Sequence, residues 1–428
     1  METALELVFT VFGLVAIALW LRLLIDRACQ RTPALCFSQK TLYQLSLLWT
    51  AVVLLKLLVI DNIITPLDSN THELYARIIA EHLNAGEFSQ AAWYFGARNK
   101  GYRFLVGVFY ALTGAPPGVV YGINAALAFW GLLSLLEMCC MVTRCARAPT
   151  WLVVLLCASP TALFWTTANL KEGPMLWAIC MMLRLSVPAQ RRNLLLPLLG
   201  FAVAAYFRPH IAAAWLAAIG VGVAIREMRV SVAITCAAGV IGAMTALQLF
   251  MPNVVEGFLE EGVVSTMEQR YEVRNDIGGS AIQYARGAPI PVLDGLLLIL
   301  FRPYPTEVFN PASLMSGAEV WLIMTIMITS WFRAPGRLKL MLSPMVMTHL
   351  AAILLLSFYF TYLYNMGLMV RQRLQAFPAM LALVALPIML SYAAKMRNRQ
   401  VLQRPQLARP NRQPLRPRAR TPLRHVGS

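Results

Sequence analysis

Long apolar runs dominate the chain and alternate with short polar turns. A run of about 20 apolar residues is long enough to cross a bilayer as a helix. The pattern therefore predicts an all-α polytopic integral membrane protein with about eleven transmembrane helices. The predicted spans are 5–26, 42–60, 117–142, 149–166, 173–187, 193–207, 209–226, 230–251, 316–333, 340–360 and 374–393.

Two further apolar stretches, 102–114 and 291–301, are too short to span a bilayer alone. We expect them to form re-entrant or interfacial segments. Residues 1–393 are then one transmembrane domain, with a first outer loop at 61–101 and a second at 252–290.

The first outer loop contains apolar positions at helical spacing, beside a polar stripe that includes Glu73 and Arg77. This pattern predicts an amphipathic helix on the outer membrane surface. Asp68 is expected just before the helix, and Asn70 and Glu73 are expected to form a capping box at its start. The apolar stripe consists of Leu74, Ile78, Ile79 and Leu83.

The composition supports a membrane protein, because 58% of the residues are hydrophobic and only 13% are charged. Soluble proteins carry about 25% charged residues. The eight cysteines fall in predicted spans or cytoplasmic turns. We interpret them as small buried residues, and a disulfide framework or a metal cluster is not favoured.

The net charge of +17 is uneven, because residues 394–428 hold Lys and Arg but no Asp or Glu. This proline-rich segment is predicted to be a disordered, basic cytoplasmic tail. It suits anionic lipid better than nucleic acid. Basic residues favour the cytoplasmic side of a membrane. Their distribution between the spans predicts an outer N-terminus and an inner C-terminus.

Several basic residues lie at predicted outer turns, where that rule does not explain them. They occur in "LKEGP", "YFRPH", "LFRPYPTEVFNP" and "YNMGLMVRQRLQAFP". Guanidinium and ammonium donors suit the oxygens of a lipid-linked phosphate. The alternative is that they are interface residues that extend to phospholipid head groups. The expected phosphate ligands are Lys171, Arg208, Arg302, Arg371 and Arg373.

Acidic and polar neighbours complete the predicted site. Asp68 is the candidate general base for an acceptor hydroxyl, and its alternative role is a turn or capping carboxylate. Glu172 is expected to orient Lys171 or an arginine, or else to pair locally with Lys171. The other supporting residues are His210, Glu73 and Asn365.

The segment from Asp68 through Glu73–Ala76 to "AEHLNAGEF" resembles the first outer loop of GT-C type glycosyltransferases. These are polytopic enzymes that take sugars from polyprenyl-phosphate carriers. The likeness is close over 61–115, where "NKGYRFLVGVFYALTG" follows. The chain departs from the family in two ways. It has an extra span before the usual first one, and Asp68 is followed by Ser69, whereas an Asp-Glu pair is common in the family. Near the C-terminus, Asn365, Gly367, Arg371, Arg373 and Pro378 are similar to a pattern of bacterial polysaccharide-cluster membrane proteins.

This resemblance implies a GT-C-like fold and an inverting transferase in the bacterial cytoplasmic (inner) membrane. The enzyme would use a polyprenyl-phosphate-linked sugar at the outer face, in polysaccharide or glycoconjugate assembly. Its partners would be the lipid-linked sugar or oligosaccharide, membrane lipids and a glycan acceptor. Whether the enzyme uses a divalent metal is left open, and no residue is assigned to bind one. The alternatives are a polymerase of polyprenyl-pyrophosphate-linked repeat units and a transporter of lipid-linked glycans.

Overall fold

The computed structural model describes residues 2–60, 67–187, 193–227, 282, 289–308, 310–363 and 365–403. The regular elements of these ranges are helices, which agrees with the predicted all-α class. In chain order they are α1 (Glu2–Arg31), α2 (Gln39–Leu55), α3 (Leu67–Asn84), α4 (Phe88–Trp93), α5 (Arg98–Thr113), α6 (Pro117–Thr143), α7 (Thr150–Cys157), α8 (Pro160–Thr166), α9 (Glu172–Leu183), α10 (Leu195–Phe207), α11 (Pro209–Glu227), α12 (Leu293–Leu300), α13 (Pro311–Arg333), α14 (Arg337–Met341), α15 (Pro344–Thr361), α16 (Met366–Gln372) and α17 (Phe377–Gln403).

Within the described residues, seven helices are long and apolar enough to cross a membrane. They correspond to seven of the predicted spans, which supports a multi-pass helical membrane protein. These helices are Leu5–Arg31, Pro33–Ile60, Pro117–Thr143, Pro209–Arg226, Pro311–Arg333, Pro344–Thr361 and Phe377–Asn398.

The other four predicted spans differ from these. Span 149–166 is divided into α7 and α8, because Pro160 has no N–H for a helical hydrogen bond to the preceding turn. Spans 173–187 and 193–207 contain the shorter helices α9 and α10. The predicted span 230–251 lies outside the described residues, as does loop 252–290 apart from residues 282, 289 and 290.

The last helix runs beyond its predicted end at residue 393. α17 continues to Gln403, so the first part of the predicted tail is helical rather than disordered. Residues 404–428 lie outside the described part of the chain. The two short apolar stretches also form helices: α5 packs on α3, and α12 packs on α15.

The amphipathic helix of the first outer loop is present, but its details differ from the prediction. α3 begins at Leu67, so Asp68 lies in its first turn rather than before it. Asn70 is therefore inside the helix and not at its N-cap. Of the predicted apolar stripe, Ile79 is fully buried, whereas Leu74 is exposed. The buried face of the helix is rotated away from Leu74, toward α5.

Helix α6 lies at the centre of the protein and packs against α1, α2, α9 and α17. Its contact with α9 is close because glycine lies at the interface on each side. A Cβ on Gly131 would lie 2.9 Å from the Cα of Trp177, and a Cβ on Gly173 would lie 2.4 Å from the carbonyl oxygen of Asn124. This close approach holds the start of α9 against α6.

Candidate functional site

The turn that joins α8 to α9 is buried, although it carries strongly polar side chains. Asn169 is 0% exposed, Lys171 is 6% exposed and Glu172 is 1% exposed. Burying charged groups is costly unless partners compensate them. The partners of this turn therefore define the site.

Asn169 is held by a network that joins the turn to α3 and α5. Its Oδ1 accepts from Tyr102 Oη at 2.8 Å, and its Nδ2 donates to Glu73 Oε2 at 2.8 Å. The same Glu73 oxygen accepts from Tyr110 Oη at 2.6 Å. Glu73 also forms an ion pair with Arg77, at 2.8 Å. With these partners, Glu73 positions the turn.

Asn124 of α6 holds the turn from the other side. Its Nδ2 donates to the carbonyl oxygens of Ala168 at 2.7 Å and Leu170 at 3.1 Å. It also donates to Tyr102 Oη at 2.8 Å. Carbonyl groups of a buried bend need such donors, because no helix or sheet satisfies them there.

Glu172 is the centre of a cluster of charged side chains. Its Oε1 lies 2.8 Å from Arg208 Nη2 and 2.9 Å from Arg371 Nε. Arg371 also forms an ion pair with Asp68. Lys171 Nζ donates to Asn99 Oδ1 at 2.5 Å. The structure thus brings five residues of the predicted site together. They are Arg371, Asp68, Lys171, Glu172 and Arg208.

The cluster carries more buried positive charge than buried negative charge. Lys171, Arg208 and Arg371 are buried with Glu172, whereas the Asp68 side chain is 62% exposed. Burial and the charge of Arg208 lower the pKa of Lys171 well below its usual value. Burial raises the pKa of Glu172, but the nearby Arg371 and Arg208 outweigh it, and this pKa is lowered overall. The cluster is therefore suited to an anion.

Some buried polar atoms of the described residues have no hydrogen-bond partner, and several of them lie in or near the cluster. They include Arg208 Nη1, Glu172 Oε2 and both ring nitrogens of His210. His210 lies in the first turn of α11, and its ring contacts that of Tyr359 with centroids 4.4 Å apart. A buried donor without a partner costs about 1–3 kcal/mol. A bound group with several acceptor oxygens would remove this cost at Arg208.

Arg373 and Arg302 have different surroundings from the cluster. Arg373 donates to the carbonyl oxygens of Leu298, at 3.0 Å, and of Arg302. Arg302 forms an ion pair with Glu307 at 3.0 Å. The phosphate-binding role of these two arginines stays a prediction, and the contacts of Arg373 favour a structural role that ties α12 to α16.

Asn365 supports the site through helix capping. Its Oδ1 accepts from the backbone N–H of Leu368 at 3.0 Å and so caps α16. Arg371 lies in the last turn of this short helix. A capped start fixes the direction of the helix, and with it the place from which Arg371 extends.

His72 lies next to the cluster, and sequence reasoning missed it; its ring contacts that of Tyr102, which donates to Asn169 of the buried turn. The side chain is 2% exposed, and Nδ1 accepts from Arg103 Nε at 2.9 Å. Burial and the charge of Arg103 lower the pKa of His72 to about 4, and Glu172, Lys171 and Asp68 also act on it. The available signal was its spacing: residues four apart on a helix share a face, and His72 follows Asp68 by four.

In the ranges that the structure describes, no group of three or more His, Cys, Asp or Glu side chains is placed to hold a metal ion. The carboxylates of Asp68 and Glu172 are instead paired with guanidinium groups. No protein-family model, curated protein or solved structure matches this chain.

Proposed function

We propose that this chain is a membrane glycosyltransferase that takes a sugar from a polyprenyl-phosphate carrier. One observation carries the proposal: Arg371 joins the exposed carboxylate of Asp68 to the buried cations around Glu172. An anion site and a candidate base are therefore adjacent. This pairing is what a transfer from a phosphate leaving group to a hydroxyl acceptor needs.

The carrier phosphate would bind in the charged cluster. Its oxygens would accept from Lys171, Arg208 and Arg371, and Arg208 Nη1 is a buried donor that still lacks a partner. When the bond between the anomeric carbon and the phosphate oxygen breaks, negative charge grows on the phosphate. Donors already in place stabilise that charge, and the loss of one costs about 2–4 kcal/mol.

Asp68 would take the proton from the acceptor hydroxyl. Its side chain is 62% exposed, so an acceptor from the aqueous side can reach it. The hydroxyl oxygen forms a bond to the anomeric carbon while the bond to the phosphate oxygen breaks. Displacement in one step inverts the configuration at that carbon.

The proposed orientation places this cluster at the outer face of the bacterial cytoplasmic membrane, with eleven spans in all. A second charged group supports it: Arg31 and Arg184 contact Glu137 on α6 at 3.0 Å and 3.8 Å. Glu137 follows Asn124 by 13 residues on this helix, or about 20 Å. The arginines that favour the cytoplasmic side thus lie far from the turn that Asn124 holds.

Two other functions would use parts of the same site. A polysaccharide polymerase would bind a pyrophosphate-linked repeat unit, and the unpartnered nitrogens of His210 would supply further contacts for it. A transporter of lipid-linked glycans would need charged groups at mid-membrane depth. In the orientation that we propose, the cluster lies at the outer boundary instead, in the turn before α9 and at the junction of α10 and α11.

The test is mass spectrometry of the lipids that the gently purified protein retains. We expect a polyprenyl monophosphate sugar in the wild type and its loss in Arg371→Ala and Arg208→Ala. The matched control is Arg337→Ala, which removes an exposed arginine of α14, outside the site. A pyrophosphate-linked oligosaccharide would favour the polymerase or the transporter. Bulk phospholipid alone, in equal amount in all variants, would contradict all three functions.

A further inference from the structure

A buried histidine lies beside the proposed base and has no role in the reaction as described so far. His72 lies on α3, on the same face as Asp68. Its ring meets the ring of Tyr102 of α5 edge-on, with centroids 5.4 Å apart. The charged groups that act on it are Arg103, Glu172, Lys171 and Asp68. Tyr102 Oη also donates to Asn169, in the turn that carries Lys171 and Glu172, so His72 lies next to the cluster on the side of α3.

The contact with Arg103 determines which ring nitrogen of His72 carries the proton. Arg103 Nε donates to Nδ1, and an arginine cannot accept a hydrogen bond. Nδ1 is therefore unprotonated, and the neutral ring carries its proton on Nε2. The guanidinium of Arg103 lies 4.4 Å from the ring centroid of Tyr75, which holds it in place. The pKa of about 4 agrees with a neutral ring at physiological pH.

We propose that His72 is a positioning residue that donates an uncharged Nε2–H hydrogen bond to a phosphate oxygen of the lipid carrier. This inference rests on the proposed function and extends it. Lys171, Arg208 and Arg371 already share one buried counter-charge, Glu172. A further buried cation would add like-charge repulsion and desolvation cost. A neutral donor adds a hydrogen bond without either cost.

Paired amide substitutions test which ring nitrogen matters. The side-chain nitrogen of Gln reaches the position of Nε2, whereas that of Asn reaches only the position of Nδ1. With farnesyl phosphate as the probe, we expect His72→Gln to bind within about threefold of wild type, and His72→Asn about tenfold or more weakly. The control is His82→Gln, which replaces a partly exposed histidine of the same helix. Equal binding by both His72 variants, or stronger binding by Asn than by Gln, would overturn the proposal.

A second measurement does not depend on activity. In protein labelled with ¹⁵N-histidine, the imidazole signals that disappear in His72→Gln belong to this residue. We expect them to show a neutral ring with the proton on Nε2 between about pH 6 and about pH 8, and to shift when farnesyl phosphate is added. A charged ring, or a proton on Nδ1, would overturn the proposal.

The two proposals fail in different ways. If the wild type retains a polyprenyl phosphate but the Nε2 signal does not respond to farnesyl phosphate, the role of His72 is wrong and the proposed function stands. If the wild type retains no lipid phosphate and binds no farnesyl phosphate, both are wrong.

Discussion

Asp68 and Arg371 form an ion pair although 303 positions separate them in the sequence. The contact joins the first turn of α3 to the last turn of α16. Because Arg371 also contacts Glu172, it links an exposed carboxylate to a buried one. A single guanidinium therefore connects the proposed base to the proposed anion site.

Replacing Asp68 should separate catalysis from binding. We expect Asp68→Asn to lower the rate of sugar transfer by about 10² to 10⁴, because the amide cannot take the proton of the acceptor hydroxyl. The retained carrier should stay bound, since the buried donors are unchanged. The measurement is transfer of labelled sugar from a lipid-linked donor, beside lipid mass spectrometry.

The control for this variant is Glu81→Gln, which neutralises an exposed acid of the same helix. Its transfer rate should equal that of the wild type. A folded Asp68→Asn protein with full transfer activity would remove Asp68 from the proposed mechanism.

The carboxylate of Glu172 should be essential for stability. Glu172→Gln leaves Arg208 and Arg371 without their buried counter-charge, so we expect a loss of about 3–5 kcal/mol in the free energy of unfolding. The melting temperature in detergent measures this loss, with Glu87→Gln, an exposed acid, as the control. A melting temperature equal to that of the wild type would show that the pairs contribute nothing.

The carboxylate of Glu172 should also make the stability of the protein depend on pH in the acidic range. The pKa of Glu172 is lowered in the folded state, so its stabilisation is complete above the usual value of 4.5. It is lost as the pH falls through the lower folded value. Melting curves of wild type and Glu172→Gln should therefore converge as the pH falls below about 4.5. A constant difference between them down to the lowest pH would contradict the lowered pKa.

Lys171 should make anion binding sensitive to alkaline pH. Its pKa lies well below 10.5, so the free protein loses this positive charge at a lower pH than an exposed lysine does. We expect the affinity of the wild type for farnesyl phosphate to fall as the pH rises through that value. Lys171→Arg should keep its affinity there, because arginine stays protonated. Lys100→Arg, at an exposed position of α5, is the control and should follow the wild type.

The start of α9 should tolerate no side chain at Gly173. A Cβ there would lie 2.4 Å from the backbone oxygen of Asn124, so Gly173→Ala must push α9 away from α6. We expect a loss of about 1–3 kcal/mol in stability, together with weaker carrier binding, since Lys171 and Glu172 move with the helix. Gly96→Ala is the control, because its Cβ would meet only Lys100 side-chain atoms, at 3.6 Å. Equal behaviour of the two variants would contradict the close packing.

Some contacts of individual side chains could not be predicted from the sequence, and the cases share one cause. The stripe of α3 is expected to lie on the membrane surface, but its Ile79 is buried in the protein together with His72 and Ala76. Arg371 and Arg373 have the same chemistry and are two positions apart, yet one meets carboxylates and the other meets carbonyl groups. Residues two apart on a helical segment point in different directions, and only the neighbouring helices determine what each one meets.

The sequence by itself determined that this is a helical protein of multi-pass membrane type and that an amphipathic helix follows the second apolar run. Apolar length, helical period and charge are local properties, and they can be read from neighbouring residues. Only the tertiary structure decided that Glu172 pairs with Arg208 and Arg371, and that His72 packs against Tyr102 beside the buried turn. Those contacts depend on how helices far apart in the chain pack together, which no local pattern contains.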